Sequence, residues 1–168
     1  MKAIPFLFLI ILAILLNSCR PSDSVQESTQ RLKPVVDAYV YAWNTGKLDT
    51  LNTICDSAVV RYDGIAPGYE YRGLSALKQF ISGYRTMFPD FKLVPEEEFY
   101  VGDRAILRWI VSGTHTGPGF LAPTGKSFKL SGMSLCRFKD GRLIEDKAES
   151  DGLYFMEQLG YNLVPPKK

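Results

Sequence analysis

The stretch KSFKLSGMSLCRFKDGRLIEDKAES, residues 126–150, decides the fold. Residues 126–138 and 142–150 read with a period of two, the signature of strands. Between them stands Asp140-Gly141, a pair suited to a tight hairpin turn. Two further strands precede them, at 91–101 and 104–116, joined at Gly102-Asp103. Upstream the period changes to that of a helix. Over 29–45, Leu32, Val35, Val36, Tyr39, Val40 and Trp43 recur at three and four, and Gly46 stands where a C-cap is expected. Pro34 falls near the start of this helix. A short second helix is expected at 48–54, a strand at 58–62 and a Gly/Pro-rich loop at 64–73. A third helix fits 74–87, with Leu77, Phe80, Ile81 and Tyr84 on one face and Pro89 as its stop. A short helix at 152–159 closes the chain. Helices followed by a run of strands make an α+β domain. The expectation is a curved, antiparallel-rich sheet wrapped on N-terminal helices, which encloses an internal cavity.

The N-terminus reads differently. Met1 and Lys2 lead into an apolar run from 3 to 16, then Asn17-Ser18-Cys19. A positive start, an apolar middle and a small-residue exit make an export signal. The run is shorter than the roughly 20 residues that span a bilayer. Leu16-Asn17-Ser18-Cys19 resembles a lipobox, which makes Cys19 the expected lipid-bearing residue of a membrane anchor. The expected division is 1–18 signal, 19–29 polar tether, 30–161 one domain and 162–168 tail. The expected address is the cell envelope. Arg20 follows the cysteine where an inner-membrane retention aspartate would stand, which favours the outer membrane.

Lys and Arg number 20 against 18 Asp and Glu, and loss of Lys2 leaves 19 against 18. With no basic stripe, nucleic acid is not an expected partner. Cys55 and Cys136 remain after Cys19, and two buried free thiols are favoured over a disulfide. One histidine and no CxxC argue against a metal site.

Further residues carry a resemblance over about 30–161. They are Phe88-Pro89-Asp90-Phe91, Gly102-Asp103-Arg104, Arg108-Trp109, Gly113-Thr114-His115-Thr116-Gly117, Pro123-Thr124-Gly125-Lys126, Arg137-Phe138, Asp140-Gly141-Arg142, Glu145, Asp151 and Gln158-Leu159-Gly160, with Trp43-Asn44 upstream. In these the chain resembles the SnoaL-like polyketide cyclases, or ester cyclases, of the nuclear-transport-factor-2-like (NTF2-like) superfamily. The resemblance implies an α+β cone and ring closure by aldol chemistry without metal or cofactor. It implies an aspartate acting as acid and base, matched here by Asp151. Family members continue after the Glu145 position with His-Trp, where this chain has Asp146-Lys147. A cationic Lys147 on the strand face of Asp151 would weaken that aspartate as a base or bind an anionic substrate.

The candidate catalytic residues are therefore Asp151 and His115. Asp151 also suits a helix cap, and His115 also suits a loop anchor. The candidate pocket comprises Trp43, Tyr62, Tyr84, Phe99, Trp109, Phe120, Met133 and Lys147. Arg137 is expected to pair with Glu145. Three functions compete. One is proton transfer on a small apolar carbonyl compound, as a cyclase, isomerase or hydratase. The second is an envelope protein that binds a small hydrophobic ligand without chemistry. The third is a scaffold that pairs into a homodimer.

Overall fold

The computed structural model describes residues 24–65, 69–119, 121–162 and 164. Helix α1 spans Val25–Thr45 and begins earlier than the apolar periodicity alone indicates. The reason is a capping box. Ser24 Oγ accepts the Glu27 amide at 3.2 Å, and Glu27 Oε2 accepts the Ser24 amide at 2.8 Å. Residues 25–29, expected in the tether, are thus helical, and Pro34 lies inside the helix. Gly46 ends it at φ 71°, in the left-handed region that glycine adopts freely.

A 3-10 turn, Leu48–Thr50, leads into α2, Leu51–Ile54. Then come β1 (Cys55–Asp63), β2 (Tyr69–Arg72) and α3 (Leu74–Met87). The long strands β3 (Lys92–Val101), β4 (Arg104–Thr114), β5 (Ser127–Lys139) and β6 (Arg142–Ser150) follow, and α4 (Gly152–Gln158) closes the order. The β5–β6 turn has φ 51° at Asp140 and 74° at Gly141. Two positive values are what a primed hairpin turn requires.

Among the described residues the sheet runs β2-β1-β6-β5-β4-β3. All neighbours are antiparallel except β1 and β6, which are parallel. Edges β2 and β3 do not meet, so the expected α+β cone is built from a curved, unclosed sheet. Bulges between Pro95 and Glu97 and between Arg137 and Phe138 bend it. Strand β2 falls in the expected loop. Its four residues pair with β1, too short a run to register beside Gly and Pro.

The core lies between the helices and one sheet face. Phe88 is fully buried against Tyr84, Phe128 and Phe155. Trp109 pairs in register with Gly132. A Cβ at 132 would stand 2.2 Å from the Trp109 ring, so only glycine leaves the indole its place across the sheet. Phe88→Ala is expected to cost about 3–5 kcal/mol, read from urea unfolding. A loss below about 1 kcal/mol would mean that the surrounding rings close the gap.

Candidate functional site

Sheet parity selects the site. On β6, Asp146, Ala148 and Ser150 face inward; on β1, Arg61 and Asp63 do. On β4 and β5 the inward set includes Leu107, Trp109, Val111, Leu130, Ser134 and Cys136. With Tyr39 and Trp43 of α1 and Tyr84 of α3, they line a cavity of about 60 Å³. That is room for a few waters. Sites for drug-sized ligands begin near ~300 Å³. The space suits a small ligand; a polycyclic one requires the aromatic walls to move.

The polar centre is Asp146, buried at 1% exposure. Tyr39 Oη donates to its Oδ2 at 2.9 Å. Arg61 Nη1 forms a close ion pair with the same oxygen. Among the described residues Oδ1 meets only the weak Cys136 thiol donor, at 3.9 Å. The Arg61 guanidinium also lies 5.0 Å from the ring centroids of Trp43 and Phe80. Its Nε is buried with no hydrogen-bond partner among the described residues. Such a donor is available to a water or to another oxygen that enters the cavity.

Protonation follows from burial. Burial lowers the Arg61 pKa, but Asp146, Tyr39 and Asp63 outweigh it, and the value lies above the ordinary one. Burial, reinforced by Asp146, holds the Tyr39 hydroxyl well above its ordinary range. Burial and Asp63 raise Tyr84. Burial, again with Asp146, pushes the Cys55 thiol up to about 12 and Cys136 well above its ordinary value. Both cysteines are free and buried, as favoured from the sequence.

Trp43, Tyr84 and Trp109 line the cavity. Other expected members are corrected by parity. Tyr62, Phe99, Met133 and Lys147 each neighbour an inward residue on their strand and so point away. Phe99 and Met133 are exposed. Lys147 Nζ stands 3.5 Å from Glu145 and over the Tyr62 ring, outside the cavity. Arg137 joins this outer cluster by its expected pair with Glu145, at 3.4 Å. Phe120 and Cys19 lie outside the described residues.

Asp151 does not face the cavity. It is the N-cap of α4, exposed, and its Oδ1 accepts the Tyr154 amide at 2.9 Å. The carboxylate thus answers the unpaired amides of a helix start. His115 is fully buried outside the cavity lining, its ring against Phe88 and its Nδ1 3.3 Å from Thr124 Oγ1. Its amide donates to Lys126 O and its carbonyl accepts from Gly125, which anchors the β4–β5 connection.

Arg61 and Asp146 were missed. The available signal was a shared parity: Arg61 with Val59 on β1, and Asp146 with Ala148 on β6. Two charges at core positions imply a pair.

Breaking that pair leaves a buried charge alone. Asp146→Ala is expected to cost about 3–5 kcal/mol, and Asp146→Leu with Arg61→Met to recover most of it. Urea unfolding of both variants measures this; equal losses would contradict it. The raised thiols set a second expectation. Their contribution to stability is full below the ordinary thiol value and is lost as pH climbs towards about 12. Unfolding midpoints followed upward from pH ~8.5, the ordinary thiol value, should fall less steeply in Cys55→Ala with Cys136→Ala.

The SnoaL-like polyketide cyclase profile matches residues 33–159. No curated protein matches the chain. Among solved structures, TsrD from Streptomyces laurentii superposes with a TM-score of 0.70 at 22% identity, over 78% of this chain and 96% of its own. An NTF2-like protein from Burkholderia pseudomallei K96243 gives 0.65 at 19%, over 78% and 98%. These two establish the fold. IdmH from Streptomyces antibioticus, described as a candidate polyketide cyclase, gives 0.65 at 25%, over 77% and 98%.

Proposed function

The chain belongs to the SnoaL-like polyketide cyclase family, and from that premise we propose that it moves a proton on a small apolar carbonyl compound held in the aromatic cavity. The reaction class is aldol cyclisation, isomerisation or hydration without a cofactor. The observation that supports this most is Asp146, a carboxylate set in an otherwise largely apolar cavity. Its Oδ2 carries the bonds from Tyr39 and Arg61, while Oδ1 meets only a thiol. Oδ1 therefore takes the proton from the carbon beside the substrate carbonyl. The free Nε–H of Arg61 holds the oxygen on which negative charge develops, the role of a preorganised donor. Asp151 remains a helix cap.

A second reading is a binding protein of the envelope, in which Cys19 bears lipid and the cavity holds a small hydrophobic ligand unchanged. The ion pair itself favours it, because Asp146 is already engaged by Arg61.

One measurement separates them: exchange of α-protons of small ketones, from cyclohexanone to 2-tetralone, into D2O by NMR. General acid–base catalysis contributes about 10²–10⁴-fold. Asp146→Asn should lose that much of the exchange rate, while Asp151→Asn, which still caps, should keep it. An Asp146→Asn rate equal to the wild type's removes Asp146 from the chemistry. Ketone binding with no accelerated exchange decides for the binding protein.

A further inference from the structure

The start of α1 lies beside an exposed apolar patch. Val25, Phe99 and Val101 are 63%, 58% and 63% exposed. They share one surface depression with Lys33 and Glu98. Phe99 pairs in register with Ile106, also exposed, so the patch continues onto the outward face of β4. Beside it Lys33 Nζ stands 3.1 Å from Glu98, and Arg31 donates to Gly102 O at 2.8 Å. An exposed apolar cluster of this kind marks an interaction surface.

The chain between Cys19 and this patch is short. The capping box starts the fold at Ser24, not near residue 29. Five Cα steps separate Cys19 from Ser24, a reach of at most about 18 Å. Strand β4, which begins next to the patch at Arg104 and ends at Thr114, is itself about 33 Å long. A lipid on Cys19 would therefore keep the Val25 end of the domain within about 18 Å of the bilayer.

We infer that Val25, Phe99, Val101 and Ile106 form a membrane-docking surface that seats the domain on the bilayer to which Cys19 anchors it. This rests on the reading of Cys19 as the lipidated residue. Apolar surfaces of this type sink about 5–10 Å into the boundary between headgroups and acyl chains.

The test uses the full chain in phosphatidylethanolamine/phosphatidylglycerol vesicles, with intact mass measured first. A fluorophore is placed through Arg104→Cys beside the patch or Thr116→Cys at the far end. Cys55 and Cys136, both buried, do not compete for it. Nitroxide-bearing lipids labelled at shallow depth report proximity. The expected result is roughly two-fold or greater quenching at 104, within the depth such surfaces reach, and none at 116. Phe99→Asp with Val101→Asp should reduce quenching at 104 to the level at 116 while the chain stays on the vesicles. Equal signals at 104 and 116 in a lipid-bearing chain overturn the docking surface and leave the anchor standing. Shielding at 104 from aqueous iodide without lipid quenching, with a doubled mass, assigns the patch to a second copy and also overturns it. A chain lacking the lipid mass removes the anchor and this inference together.

Discussion

The Arg61–Asp146 pair is the constraint on which the interior depends. It joins β1 to β6, the one parallel pairing in the sheet, and Tyr39 ties both to α1. In a low-dielectric interior neither charge is tolerable alone. Helix, edge half and central half of the sheet are thereby held in one register. Burial is the main reason the Tyr39 hydroxyl and both thiols lie above their ordinary values; the Asp146 carboxylate adds to it, because it opposes a second negative charge nearby, and Arg61 acts against it at Tyr39 and Cys136.

Much of the fold was legible because its elements are long and strongly periodic. Helix α3 begins and ends at the expected residues, and β6 does the same. What was not legible is explained by length and by partners distant in sequence. The four residues of β2 carry no period, and their pairing exists only because β1 lies beside them. The parallel β1–β6 contact joins residues more than eighty positions apart, and neither strand announces its neighbour.

The site was legible in composition and misread in direction. A strand displays its side chains alternately, so an error of one residue turns a wall outward. Tyr62, Phe99, Met133 and Lys147 are aromatic, long or charged, and each stands next to an inward residue. Phe99 and Met133 are exposed instead of buried. The aspartate matched by family position, Asp151, answers a local need of the backbone at α4. Asp146, which lines the cavity together with Asp63, stands where the resemblance implies a histidine. The capping box at Ser24 and Glu27 shows the opposite case: a short local motif that starts α1 at Val25, inside the stretch expected to be tether.

The exchange of His-Trp for Asp146-Lys147 acquires a different meaning from this geometry. Lys147 does not approach Asp151; it lies outside with Glu145 and Tyr62. The consequential half is Asp146. A histidine at that position can be buried neutral, whereas a carboxylate needs a cation within reach. Arg61 supplies it from the adjacent strand, and stacks between Trp43 and Phe80 to do so. Asp146 and Arg61 therefore depend on each other for their burial. The stacked guanidinium occupies cavity volume, which is one reason the space is small. Together the two residues give the cavity a polar end, with Arg61 Nε left without a hydrogen-bond partner among the described residues.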